Sequence, residues 1–170
     1  MPTESFSVSD LMPVSPERVF RAWLDGRQHT AMTGGAATAE PRAGSPHTAW
    51  DGYIRGKTIE IEPYRRIVQT WRTTEFTGKH ADSRLEVLLD PAPGGTRITL
   101  NHTVVPAGQA KSYHQGWKDH YFKPMKKYFA ALAQREAAAA ARSELHLPPP
   151  PDPKPRRKKR APVQKTKRRR

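Results

Sequence analysis

Gln115-Gly116-Trp117-Lys118-Asp119-His120-Tyr121-Phe122-Lys123-Pro124-Met125-Lys126-Lys127-Tyr128-Phe129 is the stretch on which the reading of this chain turns. Trp117, Tyr121, Met125, Tyr128 and then Leu132 step by four, four, three and four, which places them on one face of an α-helix. Phe122 and Phe129 widen that stripe. Upstream, Ser112-x-x-Gln115 reads as a capping box that would start the helix. Pro124 sits inside the run and predicts a kink, because proline removes a backbone hydrogen bond and crowds the preceding turn. Residues 134–142 are rich in alanine and predict that the helix continues past its apolar stripe.

A helix with one aromatic face needs a surface to bury it, and the preceding residues supply one. Phe6 and Val8 alternate with serines and predict a first strand ending near Met12-Pro13. Ser15-Pro16-Glu17 then combines an N-cap, a proline at the first helical position and an acid in the first turn. Val19, Phe20, Trp23 and Leu24 give a helix over 16–24. A second short helix is expected over 27–32, stopped by Gly34-Gly35. Thr48-Ala49-Trp50 is expected to open a strand, and Tyr53-Ile54 and Ile59-Glu60-Ile61-Glu62 read as strand, with a bulge or bend expected at Gly56. Glu60 and Glu62 fall on one face, opposite Ile59 and Ile61, and read as solvated. After a turn at Pro63-Tyr64-Arg65, residues 66–72 form another strand. Leu85, Val87 and Leu89 give the next, followed by a hairpin loop at Pro91-Ala92-Pro93-Gly94-Gly95. Ile98, Leu100 and Val104 are expected to line one face of the return strand. The fold expected is α+β, an open curved antiparallel sheet wrapped around a long C-terminal helix.

Charge divides the chain. Of the net +14, residues 142–170 carry +10, from 12 Lys+Arg against Glu144 and Asp152. Seven of the 17 prolines fall in 148–162. We read a domain over 1–142 and a disordered Pro-rich, Lys/Arg-rich tail over 143–170. The prolines predict an extended polyproline-II spacer. Arg156, Arg157, Lys158, Lys159 and Arg160 form one basic cluster, and Lys165, Lys167, Arg168, Arg169 and Arg170 a second. Such clusters fit nonspecific, salt-sensitive attachment to nucleic acid, or else to an anionic membrane surface. A purely solubilising tail is the alternative. With no aromatic residue in the tail, base stacking is not expected.

Other classes are excluded. No apolar run approaches the length of a transmembrane helix, and the first residues show neither a basic n-region nor an apolar h-region. The location expected is therefore cytoplasmic, nucleoid-associated if the tail binds DNA, or nuclear in a eukaryotic source. The absence of cysteine removes disulfides, thiolate nucleophiles and Cys-ligated metal sites. None of the seven histidines forms an i, i+4 helical pair, so no metal or other cofactor is expected. No nucleophile elbow, P-loop, dinucleotide fingerprint or H-E-x-x-H motif occurs.

Two stretches carry a family resemblance. Gly52-Tyr53-Ile54-Arg55-Gly56, continuing to Pro63-Tyr64-Arg65-Arg66-Ile67-Val68-Gln69-Thr70-Trp71-Arg72, is similar to a G-x-I-x-G…P-x-x-x-I-V-x-x-W-R signature. Residues 116–129 are similar to G-W-x-x-Y-Y-x-x-P-L/M-K-x-Y-F. Both resemble the activator of Hsp90 ATPase homologue 1-like family of the SRPBCC (START, Bet v 1-like) superfamily. The likeness spans about 5–133, with Met125 where Leu is usual and His120 where Tyr is usual. It implies a helix-grip fold with a cavity between sheet and helix. Superfamily members mostly bind hydrophobic small molecules or lipids, and some are cyclases. The namesake stimulates Hsp90 ATPase, with the help of an additional N-terminal domain.

The candidate cavity residues are Trp50, Trp71, His102, Trp117, Tyr121 and Met125. An aromatic set of this kind packs a core or lines an apolar pocket. His102 is either a hydrogen-bonded core histidine, a polar anchor for a ligand, or an acid/base group. The leading expectation is non-enzymatic binding of a hydrophobic small molecule or lipid. A chaperone-binding module of the Hsp90 co-chaperone type is the second, and a cyclase-like enzyme using His102 with Tyr121 the third.

Overall fold

Leu85, Val87 and Leu89 on one strand and Ile98 and Leu100 on the next are fully buried, with Val87 opposite Leu100 and Leu89 opposite Ile98. Each such side chain contributes about 1.5–3 kcal/mol by leaving water. The computed structural model describes residues 1–146 and 148–152. Its strands are β1 (Thr3–Met12), β2 (Pro46–Ala49), β3 (Ile54–Glu62), β4 (Arg66–Thr73), β5 (Ser83–Ala92) and β6 (Gly95–Pro106). They form one antiparallel sheet in the order β1-β6-β5-β4-β3-β2. Two helices, α1 (Pro16–Trp23) and α2 (Gly26–Thr33), separate β1 from β2. A helical run over 110–144 follows β6, made of α3 (Ala110–Gly116), a π-helical segment (Trp117–Phe122) and α4 (Lys123–Glu144). This is the expected sheet and gripped helix. Among the described residues no helix is long and apolar enough to cross a membrane.

The caps of the short helices follow the sequence. The Ser15 hydroxyl accepts from the Arg18 amide at 3.3 Å, and the Asp25 carboxylate accepts from the Gln28 amide at 2.9 Å. Gly34 ends α2 at φ 88°, a conformation that favours glycine. Val19, Phe20 and Trp23 turn inward from α1.

Five local expectations change. The strand near Trp50 begins earlier, at Pro46, and ends at Ala49 (β2), leaving Trp50 in a turn. Gly56 does not break the register of β3; the shift falls between Thr58 and Glu60. Gly56 is instead a site of close approach. A Cβ there would lie 1.8 Å from the Thr70 carbonyl oxygen and 2.7 Å from His47 Nε2, so its absence lets His47 reach across β3 and donate to Thr70 O at 2.9 Å. Val104 does not line the buried face. It is the extra residue where β6 shifts against β1, with φ 58°, and it points to solvent while Val105 takes the buried position. The long helix begins at Ala110 after Gln109, without a side-chain cap, so Ser112 lies inside it. Pro124 is accommodated by the π-helical segment ahead of it, where the Lys123 amide bonds back five residues to Lys118 O. The wider turn relieves the clash between the proline ring and the preceding carbonyl. It also turns both Tyr121 and Phe122 inward.

A chain of buried hydrogen bonds fastens this helix to the sheet. Trp117 Nε1–H donates to His102 Nδ1 at 3.2 Å. His102 must therefore carry its proton on Nε2, which faces Ser83 Oγ at 2.8 Å. Ser83 in turn donates to the Trp71 carbonyl at 2.6 Å. A second histidine repeats the device between α2 and the helix. His29 Nδ1–H donates to Trp23 O, and its Nε2 accepts from the Tyr121 hydroxyl, both at 2.9 Å. Burial pushes the pKa of His102 down to about 3 and that of His29 down to about 4.

These shifts set an acid limit on the fold. In the unfolded chain a histidine takes up its proton near pH 6.5, whereas folded His29 and His102 stay neutral to about 4 and about 3. The unfolded state binds more protons across that window, so stability is complete above pH 6.5 and falls as pH drops through it. The expected loss by pH 4 is on the order of 3 kcal/mol for each histidine. Urea unfolding at pH 7.5 and 4.5 measures it. Burial also lowers the pKa of His47, which adds to the same loss, so His102→Gln should remove roughly a third to a half of the difference; an unchanged pH dependence in that variant would contradict the assignment.

Candidate functional site

Three rows of side chains, each stepping by four residues, shape one face of the helical run. Tyr113, Trp117 and Tyr121 are buried and form the floor. Ser112, Gly116 and His120 form the middle row, and exposed Lys111, Gln115 and Asp119 form the rim. Opposite them stand Trp71 and Ile54 from the sheet, with Trp50 and Tyr53 from the turn between β2 and β3. Between the two sides lies a cavity of about 940 Å³, within the range of small-molecule sites. Its interior is aromatic and its mouth polar, and Gln115 donates to the Asp119 carboxylate at 3.0 Å across one turn of the rim.

Gly116 keeps the middle row open. Its φ is an ordinary helical −60°, so no backbone requirement explains it. Glycine inside a helix costs about 1 kcal/mol relative to alanine. A Cβ at this position would meet only His120 Cδ2, at 4.0 Å. What the glycine preserves is empty space.

Trp50 is held by strain. It has φ 49° and Asp51 φ 60°, two consecutive non-glycine residues in the left-handed region. Such residues cost about 1–3 kcal/mol each and persist only where their surroundings enforce them. One enforcing contact is Gly35. A Cβ there would fall 2.5 Å from Trp50 Cε3, so only glycine leaves room for the indole. The indole then stands edge-on to His120, with ring centroids 5.6 Å apart.

Four of the six expected cavity residues come together in this wall: Trp50, Trp71, Trp117 and Tyr121. His102 and Met125 lie outside it. His102 is in β6 behind Trp71, ring centroids 4.5 Å apart, with both nitrogens engaged. Met125 is one turn beyond Tyr121 and wholly buried in the core. The Tyr121 hydroxyl donates to His29, and burial raises its pKa above the usual tyrosine value. A proton-transfer pair of His102 with Tyr121 in the cavity thus finds no support in where these groups point. Reading from sequence missed Tyr113, Gly116 and His120. Stepping back four residues from Trp117, within the helix expected to start at Ser112, finds Tyr113, but the stripe was begun at Trp117. No cluster of three or more His, Cys, Asp or Glu side chains suited to a metal forms among the described residues. The ten basic tail residues, Arg156 to Arg170, lie outside the described residues.

Comparison with known proteins agrees with the architecture. The family model for activator of Hsp90 ATPase homolog 1-like protein matches residues 13–130. The human activator of 90 kDa heat shock protein ATPase homolog 1 is 26% identical over 129 residues, covering 76% of this chain and 38% of that protein. The mouse homolog 2 is 23% identical over 134 residues, covering 79% and 40%. The chain thus spans less than half the length of these curated relatives. Among solved structures, an Hsp90 activator from Plasmodium falciparum superposes with TM-score 0.66 at 23% identity, over 72% of this chain and 93% of that one. The protein CalU16 from Micromonospora echinospora gives 0.62 at 17%, over 86% and 98%. Both share the fold. With the family model covering five of the six strands and the part of the gripped helix that faces them, this chain belongs to the activator of Hsp90 ATPase homolog 1-like family.

Proposed function

We propose that this protein binds a hydrophobic small molecule in the cavity between the sheet and the long helix. The observation that carries the reading is a cavity of about 940 Å³, open at its polar mouth, with aromatic side chains on its inner walls and with Gly116 leaving its middle row unfilled. Apolar ligands gain most where they leave water for such walls, and a few polar groups at the mouth orient them. No reacting group is needed for this role. The probe is 8-anilinonaphthalene-1-sulfonate, whose rings match the walls and whose sulfonate can remain at the mouth beside Lys111. Gly116→Phe fills the middle row from a position where an added Cβ meets only His120 Cδ2, at 4.0 Å. It should weaken the dye's affinity by roughly tenfold or more while leaving the melting temperature equal or higher. Equal affinity in a folded Gly116→Phe protein would sink the reading. Native mass spectrometry of the gently purified protein would then name the natural ligand.

A second reading follows from the family. Relatives bear the name of activators of the 90 kDa heat shock protein ATPase, which supports contact of this chain with a chaperone of that class. We infer that this chain binds a chaperone of that class. Adding the chain to an Hsp90 should lower the stimulation produced by a full-length activator, by competition. An unchanged ATPase rate at saturating chain would rule this out.

The basic sequence over 142–170 supports a separate attachment to polyanions, nucleic acid first. Removal of residues 143–170 should abolish binding of duplex DNA at low salt, and gel shift or fluorescence anisotropy measures it. Retained affinity in the shortened chain would refute the role of the tail.

A further inference from the structure

Within the domain, net charge is confined to one element. Residues 1–109 hold 12 Lys+Arg and 12 Asp+Glu, so the sheet and the short helices are neutral as a whole. Residues 110–144, the long helical run, hold seven Lys+Arg against Asp119, Glu136 and Glu144 and carry +4. Bases outside that run are largely engaged by neighbours: Arg21 by Glu17, Arg42 by Glu40, Arg66 by Glu60 and Glu86, and Arg72 by Asp82. On the helix, Lys126 alone is so held among the described residues, by Asp10 of β1 at 2.6 Å. Lys111, Lys118, Lys123, Lys127 and Arg135 are exposed and make no ion pair among the described residues. Two of the helix's acids are turned to other partners, Asp119 to Gln115 and Glu136 to Arg18.

The π-helical segment aligns these cations. Lys118 follows Lys111 by seven residues, two α-helical turns. Five residues separate Lys118 from Lys123, a step that would rotate Lys123 away by roughly 140° in a regular α-helix. Here the Lys123 amide bonds to Lys118 O, so those five residues make one turn and the two lysines share a face. Lys127 lies one turn further and Arg135 two turns beyond it. The result is a band of five unpaired cations about 35 Å long. The cavity opens beside it. Lys111 belongs to both band and rim, and Gln115 and Asp119 continue the rim next to Lys118. Half-buried Trp50 and exposed Tyr53 stand across the mouth.

We propose that this face of the long helix docks on an anionic lipid bilayer, with the mouth turned to the membrane so that the hydrophobic ligand passes directly between bilayer and cavity. The inference rests on the small-molecule reading of the cavity. Lysines near an anionic leaflet are attracted additively, and a planar surface meets a straight band along its whole length. Tryptophan and tyrosine settle at headgroup level, where one end of the ring is apolar and the other wet. A nucleic-acid duplex would satisfy the cations and leave the apolar mouth facing water. A bilayer supplies the anionic headgroups and, beneath them, the apolar phase that holds such a ligand.

Sedimentation with vesicles of phosphatidylcholine containing about one-third phosphatidylserine tests the docking on the full chain. The helix variant carries Lys118→Glu, Lys123→Glu and Lys127→Glu. A control carries Arg27→Glu, Lys57→Glu and Lys79→Glu, all exposed, with the same change in net charge. The helix variant should bind roughly tenfold or more weakly than the control. Equal binding would overturn the inference and leave the cavity reading to its own dye test. Loss of duplex DNA binding in the helix variant, with vesicle binding kept, would overturn it in favour of nucleic acid. The chain has no cysteine, so single labels report position without altering the charges. A nitrobenzoxadiazole label on Ala131→Cys, in the band, should shift to the blue on these vesicles, and one on Ser7→Cys, on the outer face of β1, should not. Equal shifts at both would overturn the docked orientation. Pyrene carried in the vesicles should pass to the unaltered protein, whereas Gly116→Phe should dock and take up little. Docking of the unaltered protein without pyrene uptake would overturn the passage of ligand and the cavity reading together.

Discussion

The hydrogen-bond chain from Trp117 through His102 and Ser83 to the backbone of Trp71 is the constraint on which the rest of this structure depends. It ties the long helix to β6, β5 and β4 at once. Apolar packing alone would let an aromatic helix slide on an aromatic sheet, because dispersion contacts are many and weakly directional. A buried hydrogen bond is directional and costly to leave unmade. His102 therefore sets the rotation and height of the helix, and so fixes which of its rows faces the sheet. The His29 bridge to Tyr121 fixes the same helix against α2 one turn further on.

A cavity results because the helix and the turn at Trp50 do not close over the floor that these ties hold in place. Below Trp117 the stripe of Phe122, Met125 and Phe129 packs tightly against the sheet. Above it, the same helix presents Gly116 where a larger side chain could close the gap, and the turn at Trp50 stands off on strained backbone. Stability forgone at both places leaves volume beside aromatic walls. The π-helical segment ahead of Pro124 marks the transition, since its extra residue per turn lets Tyr121 serve the cavity floor while Phe122 serves the core.

Much of the architecture was legible because hydrophobic spacing reports local geometry. The alternation in Leu85-Val87-Leu89, the capped start at Ser15-Pro16-Glu17 and the four-residue steps from Trp117 all correspond to real elements. Local misreadings had a common cause. Gly56 looked like a bulge, Val104 like an inward residue and Ser112 like a cap. Each depends on a neighbour distant in sequence: Thr70 and His47 for Gly56, the β1 register for Val104, and the chain entering from β6 for Ser112.

The candidate site was half legible for the same reason. Residue types and the helical repeat identified Trp117 and Tyr121, and aromatic strand positions identified Trp50 and Trp71. By itself the sequence determined the elements, their order, the aromatic character of the helix face and the separation of a basic tail, since these follow from periodicity, propensity and charge along the chain. Only the tertiary structure decided that His102 and Met125 fall behind the wall and that Tyr113, Gly116 and His120 belong to it. Those outcomes depend on which atoms from distant segments meet, and hydrogen-bond pairing and empty volume exist only once they have met.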